Sequence, residues 1–364
     1  VLNAATGVRI GHVDIPNCRY VRFAGGKAYV SSYVGPVSLD KGRATRGAVY
    51  EVDTASLAIT RVCQVGYQPE ELEIMDDGLI YVANSGGYMA PDYEDEISVV
   101  DIESMTEVRR IKVGINLHRV RRDSHGRLWV SSRGDYEGVP SNLFLLGRSV
   151  DNPDIHVIDT LDMPCSEMAI RGDSLFFIAS EWDNYEQKNT VSYGIINTRT
   201  RQLVTSHFIT DGTEADITMP YGLALHPTLG DIYVTDAKNY VSSGSLMCYS
   251  RDGKLKWTVK TGDIPAHIVF LGVKPSGSGG GSIIEDDADK DPDDDDGKLE
   301  ALYDHVFRVP RLKKLFLEAD LVAYSYRWTM RTDDGGEELL STDRRCLLIP
   351  ETVGDTLLMD VRMG

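Results

Sequence analysis

The chain has 364 residues, 42% of them hydrophobic and 26% charged, and a formal net charge of −18. Binding to a nucleic-acid backbone relies on clustered Lys and Arg, so this balance excludes DNA or RNA as the main partner. No apolar run approaches the ~20 residues of a membrane-spanning helix. The five cysteines (Cys18, Cys63, Cys165, Cys248 and Cys346) form no CxxC metal or redox pair and read as small hydrophobes. The sequence opens at Val1 without a leader pattern, so targeting information is expected to be absent or removed.

In chain order, one pattern recurs: a Gly or Asp turn, an apolar strand with an aromatic residue, then small polar residues. It reads GGKAYVSSY, DGLIYVANSG, HGRLWVSSRG, GDSLFFIASE and GDIYVTDAK, with aromatic anchors Tyr29, Tyr81, Trp129, Phe177 and Tyr233. Successive anchors lie 52, 48, 48 and 56 positions apart. A period near 50 predicts an all-β propeller. Short alternating runs before and after each anchor complete four strands per unit, as in QPEELEI before Tyr81 and EISVVDI and EVRRIKV after it. Residues 1–271 therefore read as five full blades. A loose strand or pair at the start (VLNAATGVRIGHVDI) and a loose strand at 265–271 are expected to form partial blades. Six blades would close only if these ends complete one, and seven need strands that the sequence lacks.

Residues 272–298 read as a flexible Gly/Ser and acidic linker. Glu285 to Asp296 holds nine acids and one Lys. Calcium binding is an alternative for this run, but the EF-hand spacing fails: with Gly297 as the turn glycine, Pro292 and Tyr303 fall at ligand positions. Residues 299–364 read as a small β-sandwich around Trp328, short for seven strands and so expected to be incomplete.

In a propeller, the loop after the second strand and the loop leading into the first share one face. The former carry Tyr33, Asn84, Tyr88, Tyr93, Arg133, Asp135, Tyr136, Trp182, Asp183, Tyr185, Asp236 and Tyr240. This is the composition of an aromatic platform with hydrogen-bonding rims. The latter bring Glu70, His118, Tyr221 and His267 to roughly equivalent positions, where a lactonase- or lyase-type enzyme would place ligands or proton carriers. No GxSxG, HExxH or Walker A motif accompanies them. The residues point to binding without catalysis, and no cofactor or metal is expected. The alternatives are a metal-dependent propeller enzyme and a protein-interaction scaffold.

The stretches GDIYVTDAKN, PYGLALHPTLGDIYVTDAKNY and GDIPAHIVFL are similar to blades of the YncE-like (surface-layer, BtuG-type) propeller lipoproteins of Bacteroidetes. YSYRWTM, ELLSTDRRCLLIP and GDTLLMDVRM resemble a PKD-like (Ig-like) domain. The resemblance implies a seven-bladed family fold and a lipid-anchored protein at the bacterial outer-membrane surface. It further implies a glycan, peptide or cobalamin-type ligand and a TonB-dependent transporter as partner. The module order is the reverse of that family's, and the resemblance implies that about one and a half further blades are expected ahead of Val1.

Overall fold

The computed structural model describes residues 1–4, 6–183 and 188–270, and beyond them the backbone of six short strands; no side chain is described for 181–189 or after 270. Two compact units divide the chain, Val1–Ile284 and Glu285–Gly364.

The first unit contains five antiparallel four-stranded sheets, each with its strands in chain order. The first blade is β1 (Cys18–Ala24), β2 (Lys27–Ser32), β3 (Arg46–Asp53) and β4 (Ile59–Tyr67). The second is β5 (Pro69–Ile74), β6 (Leu79–Asn84), β7 (Glu96–Asp101) and β8 (Thr106–Lys112). The third is β9 (Leu117–Arg122), β10 (Leu128–Ser132), β11 (Leu143–Gly147) and β12 (His156–Leu161). The fourth is β13 (Glu167–Arg171), β14 (Ser174–Asp183), β15 (Lys188–Asn197) and β16 (Gln202–Thr205). The fifth is β17 (Pro220–Leu225), β18 (Ile232–Asp236), β19 (Ser243–Tyr249) and β20 (Leu255–Asp263). A single 3-10 turn, Thr213–Asp216, precedes the fifth blade. Among the described residues, no helix is long and apolar enough to cross a membrane.

The aromatic anchors all lie on second strands; four of them fill the space between blades, and Tyr233 packs on Trp257 of its own blade and on Phe270. Tyr29 joins Val49 and Val65 against Leu72, Ile80 and Val82 of the second blade. Tyr81, Ile97 and Val99 meet Leu117, Val130 and Phe144 of the third. Trp129, Leu143 and Leu145 meet Met168, Leu175 and Phe177 of the fourth. Ile178 and Tyr193 meet Leu223, Val234 and Tyr249 of the fifth. Alternation puts every second residue of a strand on one face, so each sheet can build two such contacts.

Two expectations are corrected. The propeller has five blades, not the seven of the resembled family. The period fixes what one blade contains, whereas ring size depends on how many blades follow one another. The loose ends form no further blade among the described residues. The N-terminal segment makes only the bridge between Leu2 and Arg9, and 264–270 lies as an irregular strap across blade five. There Thr235 Oγ1 donates to the Pro265 carbonyl, and the Phe270 ring meets those of His226 and Tyr233 at 4.9 and 5.1 Å. In the second unit, β21 (Phe307–Arg308), β22 (Leu315–Glu318), β23 (Ser325–Arg331), β24 (Glu337–Ser341), β25 (Arg345–Leu348) and β26 (Thr356–Arg362) form a sheet ordered β21-β26-β23-β24 and a separate pair, β22-β25. This pairing does not show an Ig- or PKD-like sandwich. The expected linker at 272–298 lies outside the described residues.

Candidate functional site

The innermost strands of four blades carry charge, most of it buried or half-buried. The sign alternates from blade to blade: Arg19 and Arg22 on β1, Glu70, Glu71 and Glu73 on β5, Arg119, Arg121 and Arg122 on β9, and Glu167 on β13, where Arg171 at the far end departs from the pattern. β17 carries none. Buried charges are costly unless paired, and each blade supplies the partners of the next. Arg22 bonds Glu71 at 2.8 Å and pairs with Glu73 at 3.4 Å. Arg121 pairs with Glu71 at 2.7 Å and with Glu167 at 3.8 Å, and Arg119 bonds Glu167. This group holds three arginines and three glutamates and is neutral.

A second group is not neutral. Glu70 is buried and accepts from Tyr33 Oη at 2.6 Å and from Arg19 Nη2 at 3.1 Å. Arg133 Nη1 lies 3.5 Å from its other oxygen. Two guanidinium groups therefore share one carboxylate. Arg19 also stacks on the Tyr33 ring, 4.9 Å from its centroid.

Above this group, on the loop face, opens a cavity of about 590 Å³. Arg19, Tyr20, His118, Arg119 and Arg133 line its charged side. Tyr136, Tyr221 and Tyr240 form its rim, with exposures of 60%, 38% and 44%. Ser141, Cys165, Ser166 and Ser180 form a small polar wall, and Ala266 and His267 of the strap close the blade-five side. The Tyr221 and Tyr240 rings meet edge to face at 5.7 Å. Tyr136 and Tyr240 both have left-handed backbone, at φ 64° and 62°. That conformation disfavours a side chain with a Cβ by about 1–2 kcal/mol. Gly134, at φ +65°, is required where this loop turns, because a Cβ there would overlap the Val139 carbonyl.

Tyr20 organises the floor. Its ring lies under the Arg119 guanidinium at 4.9 Å and meets His267 edge to face at 5.3 Å. Its hydroxyl is 3.3 Å from His118 Nε2. Burial, and then the charges of Arg133, Arg119, Arg19 and Arg121, hold His118 well below its ordinary value of 6.5. Burial also lowers His267, with Arg119 adding to it.

The folded-state pKa of His118 lies below the unfolded one, so the unfolded chain binds more protons near pH 6. Stability from this residue is therefore complete above about pH 6.5 and declines as pH falls below it, by about 1.4 kcal/mol per pH unit for one proton. Urea unfolding across this range is expected to show that slope in the wild type and a shallower one in His118→Gln. Parallel slopes would contradict the assignment.

Six of the residues singled out in the sequence line this one cavity: Arg133, Tyr136, Tyr221, Tyr240, His118 and His267. Glu70 and Tyr33 lie behind Arg19 and Arg133, and Tyr88 packs edge to face on Tyr33 at 6.4 Å. Tyr93 is half-buried, its hydroxyl pushed up by burial and then by Tyr136, Asp135 and Glu137 nearby. Three others serve the scaffold. Asn84 is buried and bridges Glu96 O and Ser98 Oγ at 2.9 Å each. Asp135 caps its own turn, accepting from the N–H groups of Glu137, Gly138 and Val139. Asp236 accepts from Met219 N–H and Lys238 N–H at 2.8 Å. The side chains of Trp182, Asp183 and Tyr185 lie outside the described residues.

Arg19, Tyr20, Arg119 and the serines of the wall were not legible as site residues. A signal existed for the arginines. Arg19 to Glu70, Arg22 to Glu73 and Arg119 to Glu167 are 51, 51 and 48 positions apart, one blade period each. Charge complementarity at the repeat spacing marks the inner strands.

No known family profile matches the chain, and no curated protein matches it in sequence. Solved structures do resemble it. A hypothetical selenium-binding protein from Sulfolobus tokodaii superposes with a TM-score of 0.50 at 12% identity, over 68% of this chain and 66% of that one. Hydrazine synthase from Kuenenia stuttgartiensis gives 0.47 at 17% identity, over 66% of this chain and 65% of that one. A quinoprotein alcohol dehydrogenase-like protein from Bacteroides thetaiotaomicron gives 0.35 at 14% identity, over 72% and 70%. The chain thus spans just under two thirds of the hydrazine synthase chain and of the selenium-binding-like protein. At these identities the likeness shows the β-propeller fold alone.

Proposed function

We propose that this propeller captures a small ligand in the loop-face cavity without turning it over. The observation that carries the reading is the rim. Tyr136, Tyr221 and Tyr240 come from two blades, stay half-exposed around one cavity, and two of them hold a backbone conformation that disfavours any side chain. Strain of this kind persists where a side chain must be aimed, and rigid aromatic rings supply contact area at low entropic cost. A glycan, a peptide or a cobalamin-type cofactor would each offer such a rim a flat apolar face edged by polar groups. The surface-lipoprotein setting, with the outer-membrane transporter as partner, follows from the YncE-like resemblance and belongs to the same proposal.

The runner-up, a metal-dependent enzyme, needs converging ligands. Among the described residues, no three of His, Cys, Asp and Glu meet in a way that could hold a metal ion.

A thermal-shift screen against aromatic glycosides, short peptides and corrinoids, with and without EDTA, tests the reading. One class is expected to raise the melting temperature by mass action, indifferent to EDTA. Tyr240→Gly relieves the left-handed backbone, so it is expected to lose the ligand shift without melting earlier. No shift from any class, combined with EDTA-sensitive stability, would overturn capture in favour of the metal-dependent reading.

A further inference from the structure

We infer that the cavity recognises a carboxylate group on its ligand, held between Arg19 and Arg133. The inference rests on the capture reading and names the ligand chemistry.

The argument is a charge balance. The two guanidinium groups share the single carboxylate of Glu70, leaving one uncompensated positive charge in a chain whose net charge is −18. The neighbouring group of Arg22, Arg119 and Arg121 is already balanced by Glu71, Glu73 and Glu167. The surplus therefore sits on the cavity wall and not in the scaffold. Arg133 is the less engaged of the pair: its ion pair to Glu70 is long, at 3.5 Å, against 3.1 Å for Arg19. Arg19 spends Nε and Nη2 on Glu70.

His118 adds a second observation. It lines the same cavity, is 92% buried, and its Nδ1 has no hydrogen-bond partner. An unpartnered buried ring nitrogen is unfavourable, so the floor beside the two arginines holds polar capacity that the chain itself does not satisfy. Arg119 is not part of this subsite. Its Nε and Nη1 lack hydrogen-bond partners too, but its guanidinium lies over the Tyr20 ring and its charge is met by Glu167. The one acid on the cavity lining, Glu137, is at the exposed rim, where solvent screens it. A planar carboxylate matches both the guanidinium fork and the size of the surplus, one charge. A phosphate dianion would leave a partly buried negative charge uncompensated.

Benzoate, benzamide and phenyl phosphate, titrated at millimolar concentration and followed by protein-observed NMR, separate the possibilities. Benzoate is expected to saturate the cavity at least about tenfold more tightly than neutral benzamide, the discrimination of one charge-assisted hydrogen bond. Arg133→Gln is expected to abolish that preference. Arg133→Lys is expected to restore part of it, through charge without the fork. Glu70 keeps Arg19 and Tyr33 in both variants, so the fold is retained.

Equal binding of benzoate and benzamide overturns the subsite while leaving capture intact. So does a benzoate preference that survives Arg133→Gln, or a preference for phenyl phosphate over benzoate. If no probe perturbs cavity residues, the subsite falls, while the capture reading is decided by the thermal-shift screen.

Discussion

Glu167→Ala is expected to destabilise the propeller by about 3–5 kcal/mol, the usual effect of removing one partner from a buried ion pair. Arg119 and Glu167 are 4% and 3% exposed, so neither charge has water to fall back on. The guanidinium cannot shed its proton at any ordinary pH. Without Glu167 it would keep its contact with Tyr20 but lose its carboxylate, and Arg121 would lose one of its two. The loss is a desolvated charge left alone, not the net worth of the pair. Replacing both residues together, Arg119→Met with Glu167→Leu, is therefore expected to recover most of the stability. Urea denaturation of the single and double variants measures this directly. A double variant as unstable as Glu167→Ala would contradict it.

Trp129→Ala is expected to have a similar effect, about 3–5 kcal/mol, for a different reason. Trp129 is fully buried in the core shared by the third and fourth blades, beside Leu143, Leu145, Met168 and Phe177. Truncation removes its transfer free energy and opens a hole between two sheets already joined to other neighbours, which limits collapse. Its Nε1 donates to Asp123 Oδ2 at 3.0 Å. Asp123 also accepts from the backbone of His125 and Arg127 and from Arg127 Nε. Trp129→Phe should therefore cost only about 1–2 kcal/mol, since Asp123 stays satisfied. Equal losses for Ala and Phe would show that the hydrogen bond, not the packing, holds this interface.

The repeat was legible because the blade core demands it. Tyr29, Tyr81 and Trp129 sit at nearly equal spacing since each packs from a second strand against the following blade, whereas Phe177 keeps the spacing but packs back against the third blade beside Trp129. The five blades were legible because each brings its own anchor and strands, whereas the fate of the loose ends was not, because no residue in one blade records what completes the ring. On the loop face, composition located His118, Arg133, Tyr221 and Tyr240, but it could not separate them from Asn84, Asp135 and Asp236. Those three are polar residues of the same loops whose hydrogen bonds are spent on their own backbone or strands. Arg19 and Arg119 escaped notice because an arginine in an alternating strand reads as its solvent side. Only the blade-period partner reveals that it faces a buried carboxylate.

The tyrosine-rimmed cavity is proposed to hold a ligand. That proposal is tested most directly by titrating the ligand that gives the largest thermal shift into the wild type and into Tyr221→Ala combined with Tyr240→Gly. Two rim aromatics should together contribute about 2 kcal/mol or more, so Kd is predicted to rise at least about thirtyfold in a variant that still unfolds cooperatively. An unchanged Kd would place the ligand elsewhere and contradict the account.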